Sequence, residues 1–249
     1  MDADSHRQPR DVPESTPYHD PHVARHYEHL ASSHGLRERE RTVIERYFDA
    51  TDGRVLDVGC GAGRTTRALE QRGFDVVGID ISEEMVERAT ERFDDLDVRV
   101  GDATDLEFDD GSFEYVLFSW VGIDAIRPAW LRRRALFEIR RVLKPGGVFA
   151  FSSHNSFYTL PAIVLDHDHL RNWYLKNGNH RTIGSRYKYD GMDFAVKKYI
   201  SNPIHQYRQL RRHGFEVVGC VGKRESIGKY FERQPYYVAR KPHDRATER

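Results

Sequence analysis

Apolar positions along the chain switch repeatedly between helical and strand periods. From Pro21 onward, HVARHYEHLASSHGL places Val23, Tyr27 and Leu30 at helical spacing, and RERERTVIERYF continues as a second helical run. VLDV is then a short apolar strand running into glycines, and TTRALEQRGF returns to helical period with Gly73 as its stop. The exchange recurs: VVGID, VRVGD, YVLFSW and VFAFSS read as strands, EEMVERATERF and WLRRRALFEIRRVL as helices. The chain closes with a helix, IHQYRQLRRHGF, the strand EVVGCVG and an apolar segment, PYYVAR, suited to an edge strand. Such alternation predicts the α/β class, a doubly wound and mostly parallel sheet with helices on both faces. Ligands of such sheets bind at the carboxyl ends of the strands, where the strand order reverses.

Two regions depart from that pattern. Residues Met1 to Pro17 are polar with three prolines, which disfavours regular helix, so residues 1–20 are expected to be a loose tail. Residues 155–201 interrupt the alternation and hold Phe157, Tyr158, Trp173, Tyr174, Tyr187, Tyr189, Phe194 and Tyr199. Seven Lys and Arg face four Asp there, so this insertion is aromatic and locally basic. The expected organisation is one domain over residues 21–242, with the insertion facing the substrate, and a polar tail over 243–249.

Composition narrows the function classes. A hydrophobic share of 39% over 249 residues is enough for a sizeable core. Lys plus Arg and Asp plus Glu both total 39, so no global field draws the chain to nucleic acid, and a charged partner must meet a local patch. The N-terminal sequence has neither an export nor a transit signature, and even YVLFSWVGI, cut off by Asp124, falls short of the roughly 20 residues that cross a bilayer. Two distant cysteines, Cys60 and Cys220, suggest no disulfide framework. A cytoplasmic protein fits, with at most peripheral membrane contact.

The strongest chemical signal is VLDVGCGAGRTT, where a strand ends in Gly59, Gly61 and Gly63 before a helix. Glycines let backbone approach a ligand closely, and amides at the helix N-terminus point into the loop, which implies a nucleotide-like ligand. A dinucleotide fingerprint counted from Gly59 needs Gly or Ala where this chain has Arg64, which weakens a nicotinamide reading. Asp80 ends the next strand 21 residues after Gly59, the spacing at which a carboxylate accepts ribose hydroxyls. Asp102 with Ala103 ends the third strand, where a carboxylate beside an amide suits adenine.

These motifs in this order resemble the class I S-adenosylmethionine-dependent methyltransferases. VLDVGCGAG looks like their glycine motif, VVGIDIS their acidic-ribose motif, GDATDLEFDDGSFEYVLFSW their adenine motif and fourth strand, and LKPGG at Leu143 to Gly147 also resembles theirs. The likeness runs from about Tyr27 through Phe151 and resumes weakly at Phe215. It implies a Rossmann-like seven-stranded sheet with an antiparallel last strand, and S-adenosylmethionine as methyl donor. By that resemblance Asp57 with Gly59, Gly61 and Gly63 would hold the methionyl end, Asp80 and Ile81 the ribose side, and Asp102 with Ala103 the adenine. Ser119 would border the reactive methyl.

Methyl transfer is an in-line displacement at a carbon already activated by the sulfonium charge, so alignment and exclusion of water matter most. An alcohol acceptor would gain from a general base, and Asp124 after the fourth strand and His154 after the fifth are the candidates by placement; structural hydrogen bonding is the alternative for both. The basic aromatic insertion points to an anionic saccharide acceptor, a uronic acid or sugar phosphate, held by Arg181, Arg186 and Lys188. A quinone or other natural product remains an alternative acceptor, and a noncatalytic S-adenosylmethionine-binding module an alternative class. Nucleic-acid methylation is disfavoured, because Ser119 to Gly122 reads SWVG, unlike the Asn-Pro-Pro-Tyr-type motif of amino-methylating enzymes. His22, His26 and His29, and the cluster Asp166 to His169, lack recognisable metal-site spacing, so no metal is expected. Tyr18 and Tyr27 could cover the donor as a lid, although plain packing of Tyr27 accounts for it equally, and Cys60 reads as a small loop residue.

Overall fold

The structure is a computed structural model and describes residues 35–49, 53–159, 186–191 and 195–243; for 159, 186–191 and 195–198 only the backbone course is described. Along the chain run α1 (Glu38–Tyr47), β1 (Arg54–Val58), α2 (Arg64–Glu70), β2 (Asp75–Asp80), α3 (Glu83–Arg92), β3 (Val98–Val100) and β4 (Phe113–Phe118). A 3-10 turn (Gly122–Ala125), α4 (Ala129–Val142), β5 (Leu143–Ser152) and β6 (His154–Asn155) follow. The remainder is β7 (Arg186–Gly191), β8 (Ala195–Ser201), α5 (Pro203–Arg212), β9 (Glu216–Val221) and β10 (Tyr236–Arg240).

Seven strands form one sheet in the order β3-β2-β1-β4-β5-β10-β9. β10 pairs antiparallel with both β5 and β9, and the other strand pairs of the sheet are parallel. Side chains alternate across it. Leu56, Val77, Val116, Phe149 and Tyr237 enter one core with α4 and α5, whereas Val55, Val76, Leu117, Val148 and Val238 enter the other with α1 and α2. This is the doubly wound α/β sheet that the alternation predicts.

PYYVAR is not an edge strand. Tyr236, Tyr237, Val238 and Ala239 are all buried and bonded on both sides, so β9 takes the edge instead. Four consecutive buried residues are the mark of a strand covered on both faces, which an edge position would not require. Within the inserted segment, β6, β8 and β7 make a separate three-stranded sheet. Arg181, Trp173, Tyr174, Phe194 and the Asp166 to His169 cluster lie outside the described residues, as do the N-terminal histidines with Tyr18 and Tyr27.

Candidate functional site

One pocket opens at the carboxyl ends of β1, β2, β3 and β4, where the order reverses between β1 and β4. At its floor the chain leaves β1 through Gly59 and Gly61, with φ of 65° and 55°, a left-handed backbone that glycine adopts without strain. A Cβ at Gly59 would stand 2.9 Å from the Phe118 ring, so this turn also has no room for a side chain. Gly63 serves differently. It lies outside the pocket lining, and a Cβ on it would crowd Leu96, Phe93 and Ala89, so its role is close packing of α2 against α3.

Asp80 holds the loop in shape. Its Oδ2 accepts from Gly61 N at 2.9 Å and its Oδ1 from Ser82 N at 2.9 Å, and the residue lines the pocket. Beside it Ile81 is 37% exposed and lines the pocket, an apolar platform next to a carboxylate. Asp102 is exposed at the same rim, its Oδ1 accepting from Thr104 N at 2.8 Å, and Ala103 lines the wall below it. A ribose-and-adenine group fits these residues: a two-oxygen acceptor, a flat apolar contact, and a second carboxylate beside a backbone amide.

Asp57 stands behind the loop and not in the lining. It is fully buried, and its Oδ2 accepts from Thr65 Oγ1 at 2.5 Å and Thr66 Oγ1 at 2.8 Å. Burial pushes its carboxyl from the ordinary 3.8 up to about 6, against the opposing pull of the two hydroxyls and Arg64. The folded state therefore keeps a proton that the unfolded chain releases, and the stability this gives is present below about pH 4 and lost as pH rises through 6. Asp57→Asn is expected to flatten that slope, worth on the order of 3 kcal/mol, in urea unfolding followed across this window. Identical slopes in the two proteins would contradict the assignment.

The far wall of the pocket rests on a buried charged network. Glu40 of α1, 1% exposed, accepts from both guanidinium nitrogens of Arg64 at 2.7 Å, from Ser119 Oγ at 2.7 Å and from Arg37 N at 2.7 Å. Ser119 also meets Tyr236 OH at 2.6 Å. Burial alone raises the Glu40 carboxyl, but the hydrogen bonds and charge of Arg64 together with the Ser119 hydroxyl carry it below its ordinary value. Burial drives the Tyr236 phenol out of reach of neutral pH. Ser119 lines the pocket, with its hydroxyl held by Glu40 and Tyr236.

After Ser119 the chain turns through Trp120 (φ 48°) and Val121 (φ 55°), both in the left-handed region. That conformation costs a β-branched residue about 1–3 kcal/mol, so it persists only where neighbours impose it. Val121 N donates to Ser152 Oγ at 2.8 Å, and the Arg37 guanidinium covers the Trp120 ring at 3.7 Å with Arg64 behind it at 5.7 Å. Beyond Trp120 the lining is Ala125, Ile126, Arg127 and Leu131.

Asp124 and His154 are brought together, but outside this lining. Asp124 is fully buried; its Oδ2 accepts from His154 N at 2.7 Å and lies 2.9 Å from Nδ1, and its Oδ1 accepts from Ser153 Oγ at 2.8 Å. Arg132 Nη1 approaches the same oxygen at 3.4 Å and donates to Ile123 O at 2.7 Å, while His154 Nε2 faces Gln234. The pair ties the 3-10 turn to the end of β5, the structural reading of both residues. Arg186 lies on β7 and Lys188 two positions on, with no side-chain placement described.

Of the network's central members, Arg64 ends the glycine run, whereas Glu40 and Tyr236 fall in no motif read from the sequence. One signal marks Glu40: on α1 it falls in register with Leu36, Val43 and Ile44, a charge on the apolar stripe.

Comparison with known proteins agrees with this geometry. A family model described as a methyltransferase domain matches residues 55–147. The demethylmenaquinone methyltransferase of Renibacterium salmoninarum is 38% identical over 128 residues, 50% of this chain and 52% of that protein. An uncharacterized protein of Methanocaldococcus jannaschii is 32% identical over 212 residues, 80% of this chain and 76% of its own length. Among solved structures, an S-adenosylmethionine-dependent methyltransferase from Methanosarcina mazei superposes with a TM-score of 0.66 at 23% identity, covering 84% of this chain and all of that one. The chain carries a methyltransferase domain over residues 55–147, and its fold is that of an S-adenosylmethionine-dependent methyltransferase. It spans about half the length of the demethylmenaquinone methyltransferases it matches.

Proposed function

We propose that the protein binds S-adenosylmethionine in this pocket and transfers its methyl group to a small, largely apolar acceptor of quinone or phenol type. The donor supplies a carbon already activated by its sulfonium charge, and the chain supplies placement. Asp80, Ile81 and Asp102 hold the nucleoside end, and the Gly59 to Gly61 backbone approaches the chain that bears sulfur. Ser119 and the Glu40 pair fix the wall beside the reacting carbon.

One observation carries the acceptor reading: the pocket runs on from Ser119 into Phe118, Trp120, Ile126 and Leu131, with Arg127 as the cation at that end. Such a wall excludes water and receives a flat apolar ring better than a sugar. The anionic saccharide reading rests on Arg181, Arg186 and Lys188, whose side chains lie outside the described residues, and nothing in the comparisons favours it. The relatives named demethylmenaquinone methyltransferase favour the quinone class instead. Asp124 and His154 are buried away from the lining and hold structure there, with no proton transfer assigned to either.

The test is turnover with methyl-labelled donor over a panel of reduced quinones, phenols, uronic acids and sugar phosphates. Trp120→Ala should raise KM for the best aromatic acceptor roughly tenfold, about 1.4 kcal/mol, and change donor affinity little. Turnover of sugars alone would overturn the acceptor class, and no turnover at all would leave a binding module.

A further inference from the structure

Helices α4 and α5 lie side by side on the sheet face opposite α1 and α2. Arg132 Nη2 donates to Gln206 Oε1 at 3.2 Å and Arg140 Nε to Gly214 O at 3.3 Å, and each pair is separated by 74 residues. A constant offset means that the helices run parallel and in step, which sets Trp130 level with Ile204 and Phe137 level with Arg211. Trp130 and Phe137, two turns apart on α4, are 54% and 61% exposed, and Ile204 is 53% exposed.

The charge on this double face has one sign. α4 carries five arginines and one acid, Glu138, which is buried against Leu106 N and Arg141, and α5 carries three arginines and no acid. Arg134 and Arg141 are matched by Asp105 and Asp110. Arg133, Arg208, Arg211 and Arg212 form no ion pair among the described residues. His205, between the helices, is held below its ordinary value by burial and then by Arg132, Arg212 and Arg208, as a positive field requires.

We propose that the α4–α5 face docks on an anionic phospholipid bilayer. Trp130 and Phe137 enter the interfacial layer with Ile204, while the four unmatched arginines meet lipid phosphates and anionic headgroups. Nucleic acid suits the face less well, because an aliphatic anchor such as Ile204 stacks on no base and two convex helices offer no groove for a phosphate chain. Leu131, Ile126 and Arg127, which line the pocket, adjoin Trp130 in sequence, so docking brings the pocket mouth toward lipid-dissolved molecules. The surface is distinct from the donor site and stands whichever acceptor is used.

The full-length chain is sedimented with vesicles of phosphatidylcholine alone or mixed with phosphatidylglycerol, and S-adenosylmethionine affinity is measured on every variant in parallel. Binding is expected only to the mixed vesicles and to weaken with salt. Arg133→Glu/Arg208→Glu/Arg211→Glu should lower partitioning on the order of 100-fold, and Trp130→Ala/Phe137→Ala roughly tenfold, with donor affinity retained. Brominated lipid should quench wild-type fluorescence and lose most of that effect in Trp130→Phe. If the triple reversal loses donor affinity through misfolding, Arg208→Gln/Arg211→Gln must still lower partitioning. Equal binding to neutral vesicles, unchanged binding by the charge variants, or binding to RNA without binding to vesicles overturns the proposal.

Discussion

Arg64→Ala is expected to lose about 3–5 kcal/mol of folding stability, because removing one partner of a buried ion pair leaves the other charge without compensation. Arg64 is 6% exposed and gives both ends of its guanidinium to Glu40, so Glu40 would keep only the Ser119 hydroxyl, Arg37 N and the Tyr236 phenol. The loss should also weaken a pH dependence. In the wild type Glu40 is held below its ordinary value, so its contribution is present above about pH 4.5 and is lost as pH falls through the folded value. Without Arg64 only the Ser119 hydroxyl and Arg37 N still oppose burial, so the stability that Glu40 contributes above about pH 4.5 should shrink. The double variant Glu40→Leu/Arg64→Met should recover most of the stability, since apolar residues often replace a buried pair without loss. Urea unfolding of the three proteins at pH 4 to 8 checks this, and an Arg64→Ala loss below about 1 kcal/mol would contradict it.

Asp80→Ala should weaken S-adenosylmethionine binding on the order of 10- to 100-fold, from loss of a charged acceptor worth about 1.5–3 kcal/mol. The effect has two sources. The carboxylate lines the pocket, and it also anchors Gly61 N and Ser82 N, so the loop loses its shape along with its ligand contact. Asp80→Asn separates the two: one amide oxygen preserves part of the loop support while the charge disappears. Its affinity should fall between the wild type and the alanine variant, and an asparagine variant as weak as alanine would assign the effect to charge alone.

Local signals made much of this site legible. The glycine run, Asp80 at its fixed spacing and the Asp102–Ala103 step are written into strand ends, and a strand end in a parallel sheet has one place to go. Other placements depend on surroundings that a single stretch of sequence does not carry. Asp57 lies behind the loop, held by the Thr65 and Thr66 hydroxyls, and Gly63 packs against Leu96, Phe93 and Ala89, contacts that local sequence does not show. Asp124 and His154 both follow strand ends, but the turn through Trp120 and Val121 folds Asp124 inward against His154. PYYVAR, short and late in the chain, gave no sign that it inserts between β5 and β9, since pairing partners of a strand are nonlocal. Charges on apolar stripes are the readable trace of the buried networks: Glu40 on α1, and Arg132 in line with Ala135, Leu136 and Ile139 on α4.

The most direct measurement is calorimetric titration of the protein with S-adenosylmethionine, S-adenosylhomocysteine and NAD, with Asp80→Ala alongside. Saturable binding of the first two is expected, weakened in the variant, with no heat from NAD. Binding of NAD alone, or donor binding indifferent to Asp80, would contradict it.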